Sequence, residues 1–472
     1  MSYATAIERL HALGQELHTA PGTPRRKFEL AHMRALMAAL GNAERTFATI
    51  LVAGTNGKGS TASTLASILT RAGYQTGLYT SPHLSRVNER IQVDGYAIDD
   101  DDLAAAFFHV EEIASTLVQN GRLPAAPSFF ETLTAMGFLH FAARQVHTAV
   151  VEVGMGGRLD ATNIVEPLVS VVTDISLDHT EWLGSTIPQI AREKAGILRP
   201  GGVMVTLPQH PEANQALGEV AAELDVRGVN AASYVPVHNH PEQYTRNRYP
   251  LSVMGELIGV DSPLAGAHQQ RNLALAIATA VELRNNHGYN ISAIDIQAGI
   301  RDTVWPARLE HISGNGSRAD VLLDVGHNPA GAWALRAAVS HLDRGQPLTL
   351  VFGCLKDKPA AELAQILFPL FGHVVVTPVD SPRSAAVEEL LAAARLTGSE
   401  VEPAADAVRA VERALHLTPA HGLVVVTGAV YLVGQVRPLL LASRSTAPSP
   451  WRACCSLRTR LPARSPWERS LA

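Results

Sequence analysis

Three things are scarce in this sequence, and each scarcity removes a class of protein. Cysteine occurs three times in 472 residues, and two of the three are the adjacent pair Cys454 and Cys455. That is no disulfide framework, and it suits a reducing compartment. Basic charge is not in excess either: 39 Lys and Arg stand against 44 Asp and Glu, a formal net charge of −5. Non-specific nucleic-acid binding needs the opposite balance, so no nucleic-acid partner is expected. An apolar signal core or membrane run is also missing near the N-terminus, where Glu8, Arg9 and Glu16 interrupt the sequence. The expectation is a cytoplasmic protein with no membrane partner.

What is present is the composition of an ordinary soluble globular protein, 46% hydrophobic and 18% charged. A chain of 472 residues exceeds what one core usually holds, which predicts two or three domains. No internal repeat is visible.

The most informative stretch runs from Thr46 to Thr61. Thr49-Ile50-Leu51-Val52-Ala53 is apolar and rich in β-branched residues, the pattern of a buried parallel strand. It leads into Gly54-Thr55-Asn56-Gly57-Lys58-Gly59-Ser60, and helical spacing follows from Thr61 to Arg71. Strand, glycine loop and helix together bind phosphate. Glycines let the backbone N–H groups turn toward an anion, and the helix start adds free donors and a positive dipole end. Lys58 adds a point charge, and the Ser60 hydroxyl is a candidate Mg²⁺ ligand. The strict P-loop pattern is not met, because Val52 stands in place of the first glycine and Gly59 separates Lys58 from Ser60. Nucleotide phosphate binding is still expected, since three glycines, a lysine and a hydroxyl meet at one strand-to-helix junction.

Before this loop, helical spacing covers Tyr3–Leu17 and Phe28–Leu40, joined at Gly22-Thr23-Pro24. After it come a strand at Thr76–Thr80 ending in Ser81-Pro82-His83-Leu84, a helix capped by Asp99 or Asp100, and a helix from Ser128 to Arg144. The strand His147–Val153 delivers Glu152 near its end, and the loop through Arg158 follows. Val169–Thr173 is a further strand, with Asp178 and His179 beyond it and Lys194 in the helical stretch Pro188–Leu198. Alternating strands and helices predict a mostly parallel sheet with ligands at the strand carboxyl ends, where the phosphate loop, Ser81, Glu152 and His179 can converge. Residues 203–260 are less regular, and His238–Arg248 reads as a surface loop. A long helix opens at Gly266–Asn272, and a second α/β series begins after Trp305-Pro306, with strands at Val321–Asp324, Leu348–Phe352, Val374–Thr377 and Leu423–Thr427. The expected organisation is α/β: an N-terminal P-loop ATPase domain over 1–300, a smaller Rossmann-like C-terminal domain over 301–441, and a disordered tail over 442–472.

Nine runs in order resemble one known family: GTNGKGS, TSPHL, SFFE, EVGMGGRLDATN, DHTEWLG, REKAGI, HQQRN, WPARLE and DVGHNP. Together they are similar to folylpolyglutamate synthase/dihydrofolate synthase, a folate-pathway branch of the Mur-ligase-like ATP-dependent amide ligases. The resemblance spans roughly residues 1–440 and implies ATP and Mg²⁺ as cofactors. Its substrates would be L-glutamate with dihydropteroate or a reduced folate, and the enzyme is expected to be a monomer. It further implies that a substrate carboxylate attacks the ATP γ-phosphate and that the glutamate amine displaces phosphate from the acyl phosphate. Lys58 would cradle the β- and γ-phosphates. Glu152 and Ser81 would share one Mg²⁺, and His179 would hold a second metal. Lys194 would carry a carbamate. Arg308 and Asp324 would hold the nucleotide with His327 beside them as a catalytic residue, and Asn272 would face the adenine. Phe129, Phe130, Glu131 and Arg158 would meet the substrate, the first three at its pterin.

By residue type alone several of these are bland. Phe129 and Phe130 read as core, Lys194 as a solvated helix charge, Arg308 as a surface charge and Asp324 as a helix cap. Ala31-His32, after Phe28-Glu29-Leu30, departs from the family's commoner folate-contacting segment. A Mur-type ligase with a non-folate acceptor is the main alternative. It is disfavoured because Gly54 comes after only two helices, where those enzymes carry a whole UDP-sugar domain. A slow P-loop switch is the alternative from another class.

Overall fold

The computed structural model describes residues 2–14, 29–237, 245–342 and 345–442. The expected loop at Gly22-Thr23-Pro24, residue Phe28, residues 238–244 and the tail from 443 onward lie outside the described residues. The chain divides into two compact units, Met1–Pro306 and Ala307–Ala472.

The first unit is built on an eight-stranded sheet. In chain order its strands are β1 (Ala48–Ala53), β2 (Thr76–Tyr79), β3 (Ile91–Val93), β4 (Tyr96–Ala97), β5 (Thr148–Glu152), β6 (Pro167–Val172), β7 (Val203–Thr206) and β8 (Arg227–Asn230). Their spatial order is β4-β3-β2-β5-β1-β6-β7-β8. β2, β5, β1, β6, β7 and β8 pair in parallel, and β3 and β4 close one edge antiparallel. Period-two alternation decides which side chains meet the helices. Ile50 and Val52 of β1 lie in register with Val150 of β5 and with Val169 and Val171 of β6. All of these pack into one core with the buried faces of helices Lys58–Arg71, Ala267–Asn286 and Ala293–Asp302.

β1 lies between β5 and β6; the chain leaves β1 toward β2 on one side, and leaves its neighbour β6 toward β7 on the other. That is the switch point at which open α/β sheets bind ligands beyond their strand ends.

The structure corrects several local readings. The first helix stops at Ala12, with Gly14 just beyond it at φ 89°, a left-handed position that ends helices. The irregular stretch after Val203 contains β7, β8 and an antiparallel hairpin of β9 (Asn247–Val253) and β10 (Glu256–Ser262). The hairpin turns at Met254 and Gly255, both with positive φ, and Asn247 and Arg248, expected in a surface loop, belong to β9. The β9 alternation of buried and exposed residues was present in the sequence, but Pro250 within it disguised the strand.

The second unit holds a six-stranded sheet. Its strands are β11 (Glu310–Ile312), β12 (Asp320–Leu323), β13 (Leu348–Phe352), β14 (His373–Val376), β15 (Val401–Pro403) and β16 (Leu423–Thr427). They are ordered β11-β12-β16-β13-β14-β15, parallel except for the edge strand β11. The two edge strands are three residues long and escaped the sequence reading.

Candidate active site

The phosphate loop is shaped by what its neighbours leave no room for. Gly54 has φ 148°, and a Cβ there would come within 1.8 Å of Thr173 Oγ1. Gly57 has φ 87°, and a Cβ there would fall 2.1 Å from Asn272 Oδ1. Side chains are therefore excluded on both counts, conformation and space. The loop is tied to the segment after β6 by backbone. Thr55 and Asn56 N–H both donate to Asp174 O at 2.9 and 3.2 Å, and Thr55 Oγ1 donates to Ser176 O at 3.1 Å. Those N–H groups are thus committed to the protein. The first bond of helix Lys58–Arg71 is Thr61 N–H to Gly57 O, at 2.9 Å. The N–H groups before it, on Lys58, Gly59 and Ser60, are the donors that every helix start leaves for an anion. Lys58 Nζ donates to Thr55 O at 3.2 Å, so the ammonium folds over the loop, while Ser60 is buried in the helix's first turn.

Lys194 lies directly against this loop. It sits near the end of helix Ile187–Ala195, is only 4% exposed, and donates from Nζ to Gly54 O at 2.7 Å. The reading as a solvated helix charge is therefore overturned. Burial, and next the charge of Lys58, lower its pKa from 10.5 to about 7 against the opposing pull of Asp178 and Asp160. A buried amine with a pKa lowered to about 7 has a substantial neutral fraction at that pH, and the neutral form can act as a nucleophile.

The adjacent strand ends bring oxygen. Glu152 closes β5, is buried, and accepts the Ser81 N–H on Oε2 at 3.1 Å. His179 caps the short helix Thr180–Leu183 with φ 49°, and its N–H donates to Asp178 Oδ1 at 2.9 Å. Among the described residues, no group of three or more His, Cys, Asp and Glu side chains could hold a metal. Mg²⁺ does not need one, since it takes one or two carboxylates with substrate phosphates and water. The buried Glu152 carboxylate beside Ser81 fits that habit; an imidazole such as His179 is an unusual ligand for this ion.

The residues expected at the substrate are held as follows. Ser128 Oγ accepts the Glu131 N–H, and Glu131 Oε2 accepts the Ser128 N–H at 2.7 Å, a capping box at the start of helix Phe129–Ala143. Glu131 also borders a small cavity with His32, Met33, Leu36 and Leu123. Phe129 is buried under the Arg90 guanidinium, 5.3 Å from its ring centroid. Phe130 is half-buried and packs so closely on Gly154 that a Cβ there would meet its ring at 2.5 Å. Arg158 is more than half exposed and pairs with Glu193 at 2.8 Å. Asn272 Nδ2 donates to Gln269 Oε1 at 2.8 Å, with its oxygen facing Gly57 in the phosphate loop.

In the second unit, Asp324 is buried at the end of β12. It accepts Leu309 N–H at 3.1 Å and Gly326 N–H at 2.8 Å, so it is not a cap on the helix that follows. Each oxygen keeps a further lone pair. Arg308 Nη1 donates to its neighbour Ala307 O at 3.2 Å. His327 Nδ1 lies 3.0 Å from Val325 O, and a carbonyl can only accept, so that nitrogen carries the proton.

The sequence reading missed three supports. Arg271 grips the Asp174 carboxylate with two hydrogen bonds of 2.9 and 2.5 Å, fixing the residue whose carbonyl anchors the phosphate loop. Asp160 accepts from Met155 N–H and from Thr162, which folds the loop after β5. Arg90 Nε donates to His83 Nδ1 at 2.9 Å, and burial, followed by the Arg90 charge, pushes the His83 pKa down to about 3. Arg271 stood one residue from Asn272 in HQQRN, and His83 stood within TSPHL. Only the distant partners Asp174 and Arg90 gave no signal.

Two family models match the chain: the Mur ligase middle domain over residues 52–280 and the Mur ligase glutamate ligase domain over residues 307–430. The chain is 35% identical over 456 residues to the folylpolyglutamate synthase of Lacticaseibacillus casei, covering 94% of this chain and 100% of that one. It is 33% identical over 423 residues to the dihydrofolate synthase/folylpolyglutamate synthase of Bacillus subtilis, covering 87% and 94%. Its fold is similar to that of a Mycobacterium tuberculosis folylpolyglutamate synthase complexed with ADP. That match has a TM-score of 0.82 and 34% identity, over 93% of this chain and 98% of that one.

Proposed function

Since the chain belongs to the folylpolyglutamate synthase/dihydrofolate synthase family of Mur ligases, we propose that it joins L-glutamate to dihydropteroate, a reduced folate or both. It is an ATP-dependent ligase, and the chemistry follows from what its residues offer. A carboxylate is a poor electrophile, so its oxygen first attacks the γ-phosphorus of ATP, giving an acyl phosphate and ADP. The glutamate amine then attacks the acyl carbon, the C–O bond to phosphate breaks, and the amine loses a proton. The first step needs positioning and charge neutralisation more than acid–base work. The helix-start N–H groups and the Lys58 ammonium supply both at the β- and γ-phosphates.

Glu152, with Ser81 and Ser60, would hold Mg²⁺, which supplies further charge neutralisation on the phosphate oxygens when bound. His179 is proposed as the ligand of a second ion. Arg308 and Asp324 hold the nucleotide in this reading, with His327 beside them as a catalytic residue and Asn272 on the adenine side. Phe129, Phe130, Glu131 and Arg158 serve the acceptor. The neutral form of the Lys194 amine adds to CO₂, forming an N–C bond and releasing a proton, so that a neutral group becomes an anion. We take the enzyme to act as a cytoplasmic monomer.

The observation that carries this reading is the buried Lys194, lowered to about 7 and hydrogen-bonded beneath the phosphate loop at Gly54. A phosphate-binding loop that served only to grip a nucleotide would gain nothing from a desolvated amine at that place. The test is ADP formation with ATP, L-glutamate and, separately, dihydropteroate and a reduced folate. Turnover is expected only with ATP, glutamate and an acceptor present together. Equal ADP formation without either carboxylate substrate would overturn the assignment in favour of a nucleotide switch.

A further inference from the structure

Arg308 stands between two non-glycine residues in the left-handed region, Ala307 at φ 59° and Leu309 at φ 50°. A side chain crowds the following carbonyl in that conformation, so the turn is opposed at both positions. Three backbone contacts hold it. Leu309 N–H donates to Asp324 Oδ2 at 3.1 Å, and Ala307 O accepts from Val325 N–H at 3.2 Å. Ala307 N–H donates to Glu310 Oε2 at 2.8 Å.

Glu310 does not act alone. Arg437, in the helix Val430–Ala442, donates from Nε to Oε2 at 2.7 Å and from Nη2 to Oε1 at 2.8 Å. The two side chains are 25% and 23% exposed, so the pair is largely withdrawn from water. A two-point guanidinium–carboxylate pair fixes the plane of the carboxylate as well as its place. The oxygen that Ala307 reaches is therefore aimed from an arginine 127 residues further along the chain.

We propose that Arg437, acting through Glu310, is a positioning residue that sets the left-handed turn at Ala307–Leu309 and so aims the Arg308 side chain at the nucleotide. The proposal rests on the reading of Arg308 as a nucleotide-holding residue. Without Arg437, the Glu310 carboxylate turns toward water and the Ala307 N–H loses its fixed acceptor. The turn then drifts toward the ordinary right-handed or extended region. Asp324 and Val325 still hold the turn, so the unit loosens here instead of unfolding.

The test uses the full chain. Arg437→Gln is compared with wild type for ADP affinity by calorimetry, for KM of ATP, for kcat and for melting temperature. ADP affinity should fall and KM for ATP should rise by about tenfold, the scale set by one left-handed non-glycine residue, with a smaller change in kcat. Arg437→Lys keeps the charge but loses the fork, and it should fall between the two. Adding Ala307→Gly to Arg437→Gln should recover most of the loss, because glycine takes this turn without support. A contact that merely stabilised the unit would show no such rescue in ADP affinity.

ADP affinity within about twofold of wild type in folded Arg437→Gln would overturn the proposal. A weakening that Ala307→Gly does not relieve would do so as well. Should Arg437→Gln fail to fold, Arg437→Lys with and without Ala307→Gly is judged on the same criteria. Arg308→Ala separates the two levels. If it binds ADP like wild type, the reading of Arg308 fails. If it weakens ADP binding while Arg437→Gln does not, the role of Arg437 alone fails.

Discussion

Two of the loops with left-handed backbone in this molecule reach it in opposite ways. In the first unit the positive φ values of Gly54 and Gly57 fall on glycines, while in the second unit they fall on Ala307 and Leu309. The N–H groups are spent differently too. The phosphate loop commits Thr55 and Asn56 to a backbone carbonyl and leaves the helix-start donors outside the helix's own hydrogen bonds. The second loop commits both flanking N–H groups, on Ala307 and Leu309, to carboxylates. A loop that must receive a polyanion on its backbone has to be bare of side chains and keep donors in hand. A loop that delivers one arginine can use up its donors and tolerate strain, provided carboxylates hold it.

The comparison breaks most visibly at Lys58. Lys58→Ala removes the cation proposed to act on the transferring phosphoryl group, and kcat should fall by about a thousandfold with the melting temperature nearly unchanged. Near-normal turnover in the folded variant would take the phosphate loop out of its role. Lys194 comes next. Alanine and arginine there should both abolish turnover, since arginine keeps a positive charge and cannot form the carbamate. Formate or acetate should restore part of the rate to the alanine variant; high activity in Lys194→Arg would rule the carbamate out.

Gly57→Ala sharpens the contrast in backbone. Strain at φ 87° and the approach to Asn272 Oδ1 act together, and the variant should lose roughly 2 kcal/mol or more of stability and bind ADP poorly. Ala307→Gly changes the same feature in reverse. Relief of left-handed strain is offset by the extra freedom of the unfolded chain, so the stability change should stay within about 1 kcal/mol. Thermal melts of the two variants decide it; equal losses would mean that the two loops are not different in kind.

Lys194 also gives a pH signature. Its folded pKa, lowered to about 7 by burial first, lies below the unfolded value of 10.5. Between these values the unfolded chain binds the extra proton, so this group's contribution to stability rises with pH and is flat below about 7. In CO₂-free buffer, melts of wild type against Lys194→Met should move in favour of lysine as pH rises through that window. A difference independent of pH would mean the amine is solvated.

The phosphate loop was legible because its requirements are written in glycine, and the parallel strands because buried strands are runs of valine and isoleucine. Lys194 was not legible from its own helix. Its neighbours Arg192 and Glu193 look like any solvated face, and only the fold of the loop after β1 turns that residue inward. The left-handed turn around Arg308 was invisible for the complementary reason. Ala307 and Leu309 carry no turn chemistry, and what holds them comes from Asp324, Val325, Glu310 and Arg437. The short edge strands and the Pro-containing hairpin strand β9 were hidden because three residues or one proline carry too little pattern.

In the proposed reaction the first unit's phosphate loop serves to activate a carboxylate and does more than bind a nucleotide. Labelling the acceptor's terminal carboxylate with oxygen-18 and following the inorganic phosphate by mass spectrometry tests this directly. One labelled oxygen should pass from the acceptor to each phosphate released during amide formation. Unlabelled phosphate, released while the amide product forms, would contradict it.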